Sequence, residues 1–248
     1  MGSLKNPPGL VPAIDMPLGK AIIYLDKIGG LKDIATGVKY GSDIIETYGN
    51  LTAFSLFEDI GLEIPIIYDR QKGGADVPHI VRKQVNQADK PGVVAYIGQT
   101  LGSGANPEAM TEKEKGTTEA MVEECIAIGV EPVLVLEMTQ PGATYFLREG
   151  ASEDLAKLGK ELGVNYFVAP ATRPERIEVY RKILGDGVEI ISTGVGPQKT
   201  GDPVEDAVNA VKAGADHLVI GRALMNADNP VDQGKRIYEA IERAHSTR

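Results

Sequence analysis

Two lysines and three aspartates occur where short apolar segments of this chain end, or soon after. Asp15, Lys39 and Asp69 each close an apolar run. Lys72 and Asp76 follow Asp69 in a glycine-containing segment. An ammonium group between carboxylates stays protonated, because nearby opposite charges favour the charged form. A positioned ammonium can stabilise a developing negative charge and then donate a proton. The pattern predicts an acid–base centre, and the alternative interpretation is a purely structural ion-pair network.

A second chemical signal is an arginine directly after the last apolar run. Arg222 follows Gly221, and a guanidinium can donate two parallel hydrogen bonds to a phosphate. Backbone N–H groups at the start of a helix favour the same anion. Gln198 opens a loop, ending at Asp202, that contains Gly201 and could close over a ligand. We therefore predict a phosphate-binding end of the site.

Eight short segments rich in Val, Ile and Leu alternate with segments of helix length. Uninterrupted apolar runs of this kind are typical of parallel strands buried on both faces. The predicted strands are Leu10–Asp15, Ala35–Tyr40, Pro65–Asp69, Val93–Ile97, Pro132–Met138, Tyr166–Ala169, Glu189–Ser192 and His217–Ile220. Eight units predict an α/β fold, a single (β/α)8 TIM barrel over residues 10–248, after an irregular lead-in at residues 1–9. A doubly wound sheet is the structural alternative.

Capping residues predict several helix starts. The candidates are Asp202 before Pro203, Asn229 before Pro230, Thr172 with Glu175, and Thr111 with Glu114. The first two have the order of an N-cap followed by proline, and the last two fit a capping box. In a (β/α)8 barrel these helices alternate with strands whose carboxyl ends meet at one mouth. The charged residues and Arg222 are expected to gather there.

Composition narrows the classes of partner. The net charge of −9, with no long basic run, argues against nucleic acid and anionic membranes. The single cysteine, Cys125, is expected to pack in the core. No apolar stretch approaches the roughly 20 residues that cross a bilayer, and no leader is evident, so we expect a cytoplasmic protein.

Taken in order, several motifs resemble one family. They are Val11–Asp15, Val38–Gly41, Asp69–Pro78, Glu137–Gly142, Ala169–Arg176, Gly194–Gln198, Ile220–Arg222 and Ala227–Pro230. Their order and spacing resemble orotidine 5'-phosphate decarboxylase, especially its archaeal branch, from residue 10 to nearly the end of the chain.

The resemblance implies a role for individual residues. Asp15 would bind ribose hydroxyls, while Lys39, Asp69 and Lys72 would form the catalytic array. Asp76 would extend into the active site of the neighbouring subunit in a homodimer. Thr139 would hydrogen-bond the pyrimidine. The phosphate would be held by Gln198, Gly221 and Arg222, and the remaining substrate-binding positions are Val77, Pro170, Thr193, Gly194 and Val195.

The chemistry implied is decarboxylation of orotidine 5'-phosphate to uridine 5'-phosphate in de novo pyrimidine biosynthesis. Lys72 would protonate the carbanion left at ring carbon six, with no cofactor and no metal. Lys72 lies one residue further from Asp69 than is usual in the family, so a local bulge is predicted to return it to the site. Ile80 and Thr193 also depart from the family's usual Thr and Pro.

Two rival functions remain open. A metal-dependent sugar-phosphate decarboxylase or aldolase of the same suprafamily shares the aspartate and lysine signature. A barrel that binds a nucleotide without turning it over is the other, because fold does not fix function.

Overall fold

Eight parallel strands close into a barrel in the order β1 to β8 in this computed structural model, which describes residues 3–50, 54–55, 63–70, 75–101, 104–106, 108–111, 113–145, 147–148 and 150–248. The strands are β1 (Gly9–Ile14), β2 (Val38–Tyr40), β3 (Ile66–Asp69), β4 (Val93–Gly98), β5 (Glu131–Val135), β6 (Tyr166–Pro170), β7 (Glu189–Thr193) and β8 (His217–Ile220). The predicted (β/α)8 barrel is confirmed, and the doubly wound sheet is wrong because β8 pairs with β1.

Helices follow the strands and cover the outside of the barrel. Within the described residues the α-helices are α1 (Leu18–Ile28), α2 (Ser42–Tyr48), α3 (Pro78–Val85), α4 (Thr117–Ala127), α5 (Ala151–Glu161), α6 (Pro174–Leu184), α7 (Pro203–Ala213), α8 (Arg222–Met225) and α9 (Pro230–His245). Short 3-10 helices occupy Gly29–Leu31 and Asn86–Ala88. None of the described helices has both the length and the apolar composition needed to span a membrane.

Two of the predicted helix starts are confirmed and two are wrong. The side chains of Asp202 and Asn229 each accept hydrogen bonds from two backbone N–H groups, at the starts of α7 and α9. The N-cap of α6 is Arg173 rather than Thr172, without a side-chain cap. Glu114 accepts hydrogen bonds from residues 110 and 111 within a turn, and α4 begins three residues later. Proline at the first helical position is therefore the more specific signal here.

Alternate residues of each strand pack on opposite sides of the sheet, as the two-residue period requires. Val11 and Ala13 of β1 belong to a buried apolar cluster shared with Ile67 of β3, which fills the barrel. Leu10 and Ile14 belong to the larger cluster between the sheet and the helices. This alternation decides which strand residues can reach the mouth.

Two strands differ from the prediction by more than one residue at one end. β2 begins at Val38, and the preceding Ala35 makes only an isolated bridge to Leu10. β5 ends at Val135 rather than Met138, because Glu137 turns to ion-pair partners outside the barrel. The predicted division between a lead-in at residues 1–9 and a barrel at 10–248 stays a prediction, although β1 begins at Gly9.

The amino-terminal end of the barrel is closed by buried polar pairs. His217 of β8 is fully buried, and its ring contacts Thr36 Oγ1 at 2.9 Å and the carboxylate of Glu189. Asp216 accepts hydrogen bonds from Arg181 and, at 3.1 Å, from Arg248. Most polar atoms buried here therefore have partners, as a stable interior requires.

Candidate active site

The floor of the site is set by the register of the first three strands. β1 pairs Ala13 with Lys39, and β2 pairs Lys39 with Ile67. Ala13 and Ile67 face the barrel interior, so Lys39 at the same level faces it too. Asp15 and Asp69 lie two residues further along their strands, on the same face and one layer nearer the mouth. Sheet geometry alone therefore brings these three charges together.

The three side chains form a buried ion-pair array. Lys39 Nζ lies 2.5 Å from Asp69 Oδ2 and 3.0 Å from Asp15 Oδ2. The side chains of Lys39 and Asp69 are 5% and 3% exposed, whereas that of Asp15 is 33% exposed. Asp15 is therefore the member of the array that borders open space.

Electrostatics hold Lys39 in its charged form. Burial by itself disfavours the ammonium, but the carboxylates of Asp69 and Asp15 outweigh it. The pKa of Lys39 is consequently raised above its ordinary value. Lys39 thus serves as a fixed positive charge near neutral pH rather than as a base.

A glycine makes room for the Asp15 carboxylate. A Cβ atom at Gly41 would overlap Asp15 Oδ1, so a larger residue there would displace the carboxylate. Asp15 Oδ1 is buried and has no hydrogen-bond partner among the described residues. A buried unpaired acceptor is unfavourable, and a ligand hydroxyl would reach this oxygen only if the Asp15 carboxylate rotated.

A cavity of about 330 Å³ opens above the array at the mouth of the barrel. Among the predicted site residues it is lined by Asp15, Lys39, Thr139, Thr193, Gly194, Val195, Gln198, Gly221 and Arg222. Ala13, Met138, Gln140, Val219 and Met225 complete the lining. Residues from β1, β2 and the segments after β5, β7 and β8 thus converge on one space.

The segment after β7 is folded tightly against the cavity. Gly194 has a φ of +94°, and a Cβ there would lie 2.8 Å from the Thr139 side chain. The buried carboxylate of Asp206 accepts hydrogen bonds from Gly196 N at 2.9 Å and Thr200 Oγ1 at 2.8 Å. Asp206 was not among the predicted site residues. The feature that could have indicated it is an aspartate on the inner face of a helix whose N-cap is clearly marked in the sequence.

A second missed residue, Glu137, holds the segment after β5. Its carboxylate accepts hydrogen bonds from Arg173 at 2.6 Å, Arg176 at 2.7 Å and Tyr180 at 2.7 Å. Burial would raise the pKa of Glu137, but the hydrogen bonds from Tyr180 and the two arginines outweigh it and lower the pKa. Arg173 also donates to the backbone oxygens of residues 138 and 139. The detectable signal is a carboxylate directly after an apolar strand.

Several predicted site residues lie outside the cavity lining. Asp69 is ion-paired with Lys39, which does line the cavity, and Pro170 is buried at the end of β6. Asp76 and Val77 are exposed just before α3. Lys72 and the predicted bulge lie outside the described residues, so both stay predictions. Within the described residues no group of three His, Cys, Asp or Glu side chains has the arrangement to hold a metal ion.

Comparison with known proteins agrees with this geometry. Residues 8–237 match the model of the "Orotidine 5'-phosphate decarboxylase / HUMPS family". An orotidine 5'-phosphate decarboxylase of Methanosarcina mazei is 32% identical over 212 residues, 86% of each chain. One from Pyrococcus horikoshii is 32% identical over 232 residues, 94% of this chain and 98% of its own.

Solved structures give the same result. The crystal structure of orotidine 5'-phosphate decarboxylase from Pyrococcus horikoshii OT3 superposes with a TM-score of 0.73 at 29% identity, covering 94% of this chain and 99% of that one. The match of a family model to most of the chain, relatives aligned over nearly their whole length, and a shared barrel lead to one conclusion. This chain belongs to the orotidine 5'-phosphate decarboxylase / HUMPS family.

Proposed function

We propose that this protein is an enzyme that decarboxylates orotidine 5'-phosphate to uridine 5'-phosphate in pyrimidine biosynthesis. The observation that carries the proposal is the Asp15–Lys39–Asp69 array at one side of a cavity whose other side holds Arg222. Relatives that align over most of this chain bear the name of that activity. A carbon–carbon lyase of this kind needs a fixed charge near the reacting carbon and side chains that bind the phosphate.

In the proposed reaction the bond between ring carbon six and the carboxylate breaks. Carbon dioxide leaves, and the bonding electron pair stays on carbon six. The Lys72 ammonium stabilises this carbanion and then donates its proton to carbon six, leaving a neutral amine that solvent reprotonates. Asp69 and Lys39 hold the charges of the array in place. Protein side chains supply every group in this scheme.

The rest of the proposed site binds the substrate. Arg222 and Gln198 hold the phosphate, together with the N–H groups of Gly221 and Arg222, because all three residues line the cavity where α8 begins. The Asp15 carboxylate, which is 33% exposed and lines the cavity, accepts a ribose hydroxyl. Thr139 faces the pyrimidine. Substrate-contacting roles for Val77, Pro170, Thr193, Gly194 and Val195 belong to the same proposal.

We also propose that the enzyme acts as a homodimer in which Asp76 enters the neighbouring subunit's site. The support is the position of Asp76 and Val77, which lie exposed between the end of β3 and the start of α3. Val77 is 51% exposed, so an apolar side chain beside Asp76 is accessible to a partner subunit.

The direct test is the change in ultraviolet absorbance when the protein is mixed with orotidine 5'-phosphate. The native chain is expected to consume the substrate and release carbon dioxide. Lys72→Ala is expected to lower kcat by at least about 10²-fold, because a general acid contributes about 10²–10⁴-fold. Lys212→Ala, an exposed lysine on α7, is the matched control and should keep native turnover.

Other outcomes identify the rival functions. Loss of activity on chelation of metal ions would favour the metal-dependent sugar-phosphate decarboxylase or aldolase. Binding of uridine 5'-phosphate without carbon dioxide release from orotidine 5'-phosphate would identify a non-catalytic barrel. Near-native turnover by Lys72→Ala would refute the assignment of the proton donor.

A further inference from the structure

The first turn of α4 is buried although its side chains are polar. Thr117, Thr118 and Glu119 are each at most 5% exposed. Burying polar groups is unfavourable unless they are hydrogen bonded. All three are bonded to segments outside α4, so this turn connects parts of the chain that follow different strands.

Thr117 is bonded to the residue proposed to cross the dimer interface. Its Oγ1 donates a hydrogen bond of 2.7 Å to the backbone oxygen of Asp76. The Asp76 carboxylate itself accepts a hydrogen bond of 2.7 Å from Val77 N, and both residues are exposed. The Asp76 backbone is therefore held from the inside while its carboxylate faces outward.

The start of α4 is fixed independently of Asp76. Glu119 Oε1 accepts a hydrogen bond of 2.6 Å from Asn106 N, in the segment after β4. A Cβ at Gly116 would lie only 2.5 Å from the Cα of Ala105, so that segment packs directly on the helix start. The Thr117 hydroxyl is thus held at a fixed position.

Helices α3 and α4 are also joined along their length. Arg82 of α3 lies 2.7 Å from Glu123 and 3.4 Å from Glu124 of α4, and it donates to the backbone oxygen of Ala120. Because the two helices form one unit, Asp76 at the start of α3 cannot turn away without breaking its bond to Thr117.

From these contacts we propose that Thr117 is a positioning residue for the reaction: its hydroxyl orients the Asp76 backbone so that the carboxylate reaches the neighbouring subunit's site. The inference rests on the proposed function and on the role of Asp76 in it. Thr117 itself touches no substrate. Its effect on turnover is transmitted through Asp76 alone.

A double-mutant cycle tests this dependence. Thr117→Val keeps the shape and removes the donor, whereas Thr117→Ser keeps the donor. We expect Thr117→Val to lower kcat/KM for orotidine 5'-phosphate about tenfold, as loss of one hydrogen bond allows, and Thr117→Ser to stay within about twofold. In an Asp76→Asn background, Thr117→Val should cost no more than about twofold further, because the residue it positions is gone.

Activities are compared below the lowest thermal unfolding midpoint of the variants. Thr117→Ala removes the hydroxyl without adding volume and repeats the test if the valine variant is unstable. Equal losses from Thr117→Val in the native and Asp76→Asn backgrounds would overturn the inference, as would native kcat/KM for Thr117→Val. Native activity of Asp76→Asn alone would overturn it together with the role of Asp76. Absence of decarboxylation by the native chain would instead refute the proposed function.

Discussion

At the scale of single residues, Lys39 neutralises two carboxylates that would otherwise face each other inside the barrel. Its Nζ lies 2.5 Å from Asp69 and 3.0 Å from Asp15, and the Lys39 side chain is only 5% exposed. Such a group is as important for folding as for chemistry, because an unpaired buried charge is far more costly than a paired one.

We therefore expect Lys39→Met to lose stability as well as activity. The free energy of unfolding in urea should fall by about 3 kcal/mol, since breaking a buried pair leaves a charge uncompensated. Adding Asp69→Asn to Lys39→Met should recover part of that loss. Lys212→Met, at an exposed position on α7, is the control and should change stability by less than about 0.5 kcal/mol. A Lys39→Met variant as stable as the native chain would contradict this account.

At the scale of elements, β5 ends early, and the segment after it is held by contacts with α6. Glu137 accepts hydrogen bonds from Arg173, the N-cap residue of α6, and from Arg176 and Tyr180 within that helix. Arg173 in turn holds the backbone around Thr139, which lines the cavity. The point at which β5 ends therefore determines which ion pairs Glu137 forms, and these in turn determine where Thr139 lies in the cavity.

Glu137→Gln should destabilise the protein in a pH-dependent way. The pKa of Glu137 is lowered by folding, so its stabilisation is present above the ordinary pKa of about 4.3 and is lost as the pH falls through the folded value. We expect a stability difference of about 2 kcal/mol between native protein and variant at pH 7, shrinking at pH below about 4. Chemical denaturation at several pH values measures it.

The matched control for this experiment is Glu239→Gln, at an exposed position on α9. It should change the unfolding free energy by less than about 0.5 kcal/mol at every pH. A Glu137→Gln difference that stays constant down to pH 3 would show that shape, rather than charge, is what this carboxylate provides.

Element order was predictable from sequence because the apolar runs are short, uninterrupted and separated by marked caps such as Asp202 and Asn229. The proximity of Asp15, Lys39 and Asp69 was predictable because parallel strand ends meet at one mouth. The contacts of Glu137 and Asp206 were not predictable from the sequence. They depend on where a strand ends and on the direction of a loop, and both are determined by tertiary packing.

At the scale of the whole molecule, a homodimer would complete a site that one chain leaves open. Asp76 is exposed on a backbone held by Thr117, and it does not line the cavity of its own chain. In a two-fold dimer each subunit would give its Asp76 and receive its partner's.

Hybrid dimers test that exchange. Lys72→Ala and Asp76→Asn are each expected to be nearly inactive alone. Refolded together in equal amounts, half of the dimers should be mixed, and one of the two sites in each should carry neither change. We therefore expect recovery of about a quarter of native activity, measured by the absorbance assay with sedimentation to verify dimers. No recovery would mean that Asp76 acts within its own chain.

The polar pairs that close the amino-terminal end of the barrel have a consequence for protein engineering. His217, Glu189, Asp216 and Arg181 lie at the opposite rim from the cavity, so substitutions there can change thermostability without touching the cavity lining. A library of substitutions confined to that rim would vary the melting temperature without changing the residues of the active site. Directed evolution could then build tolerance there before the mouth is redesigned for another substrate.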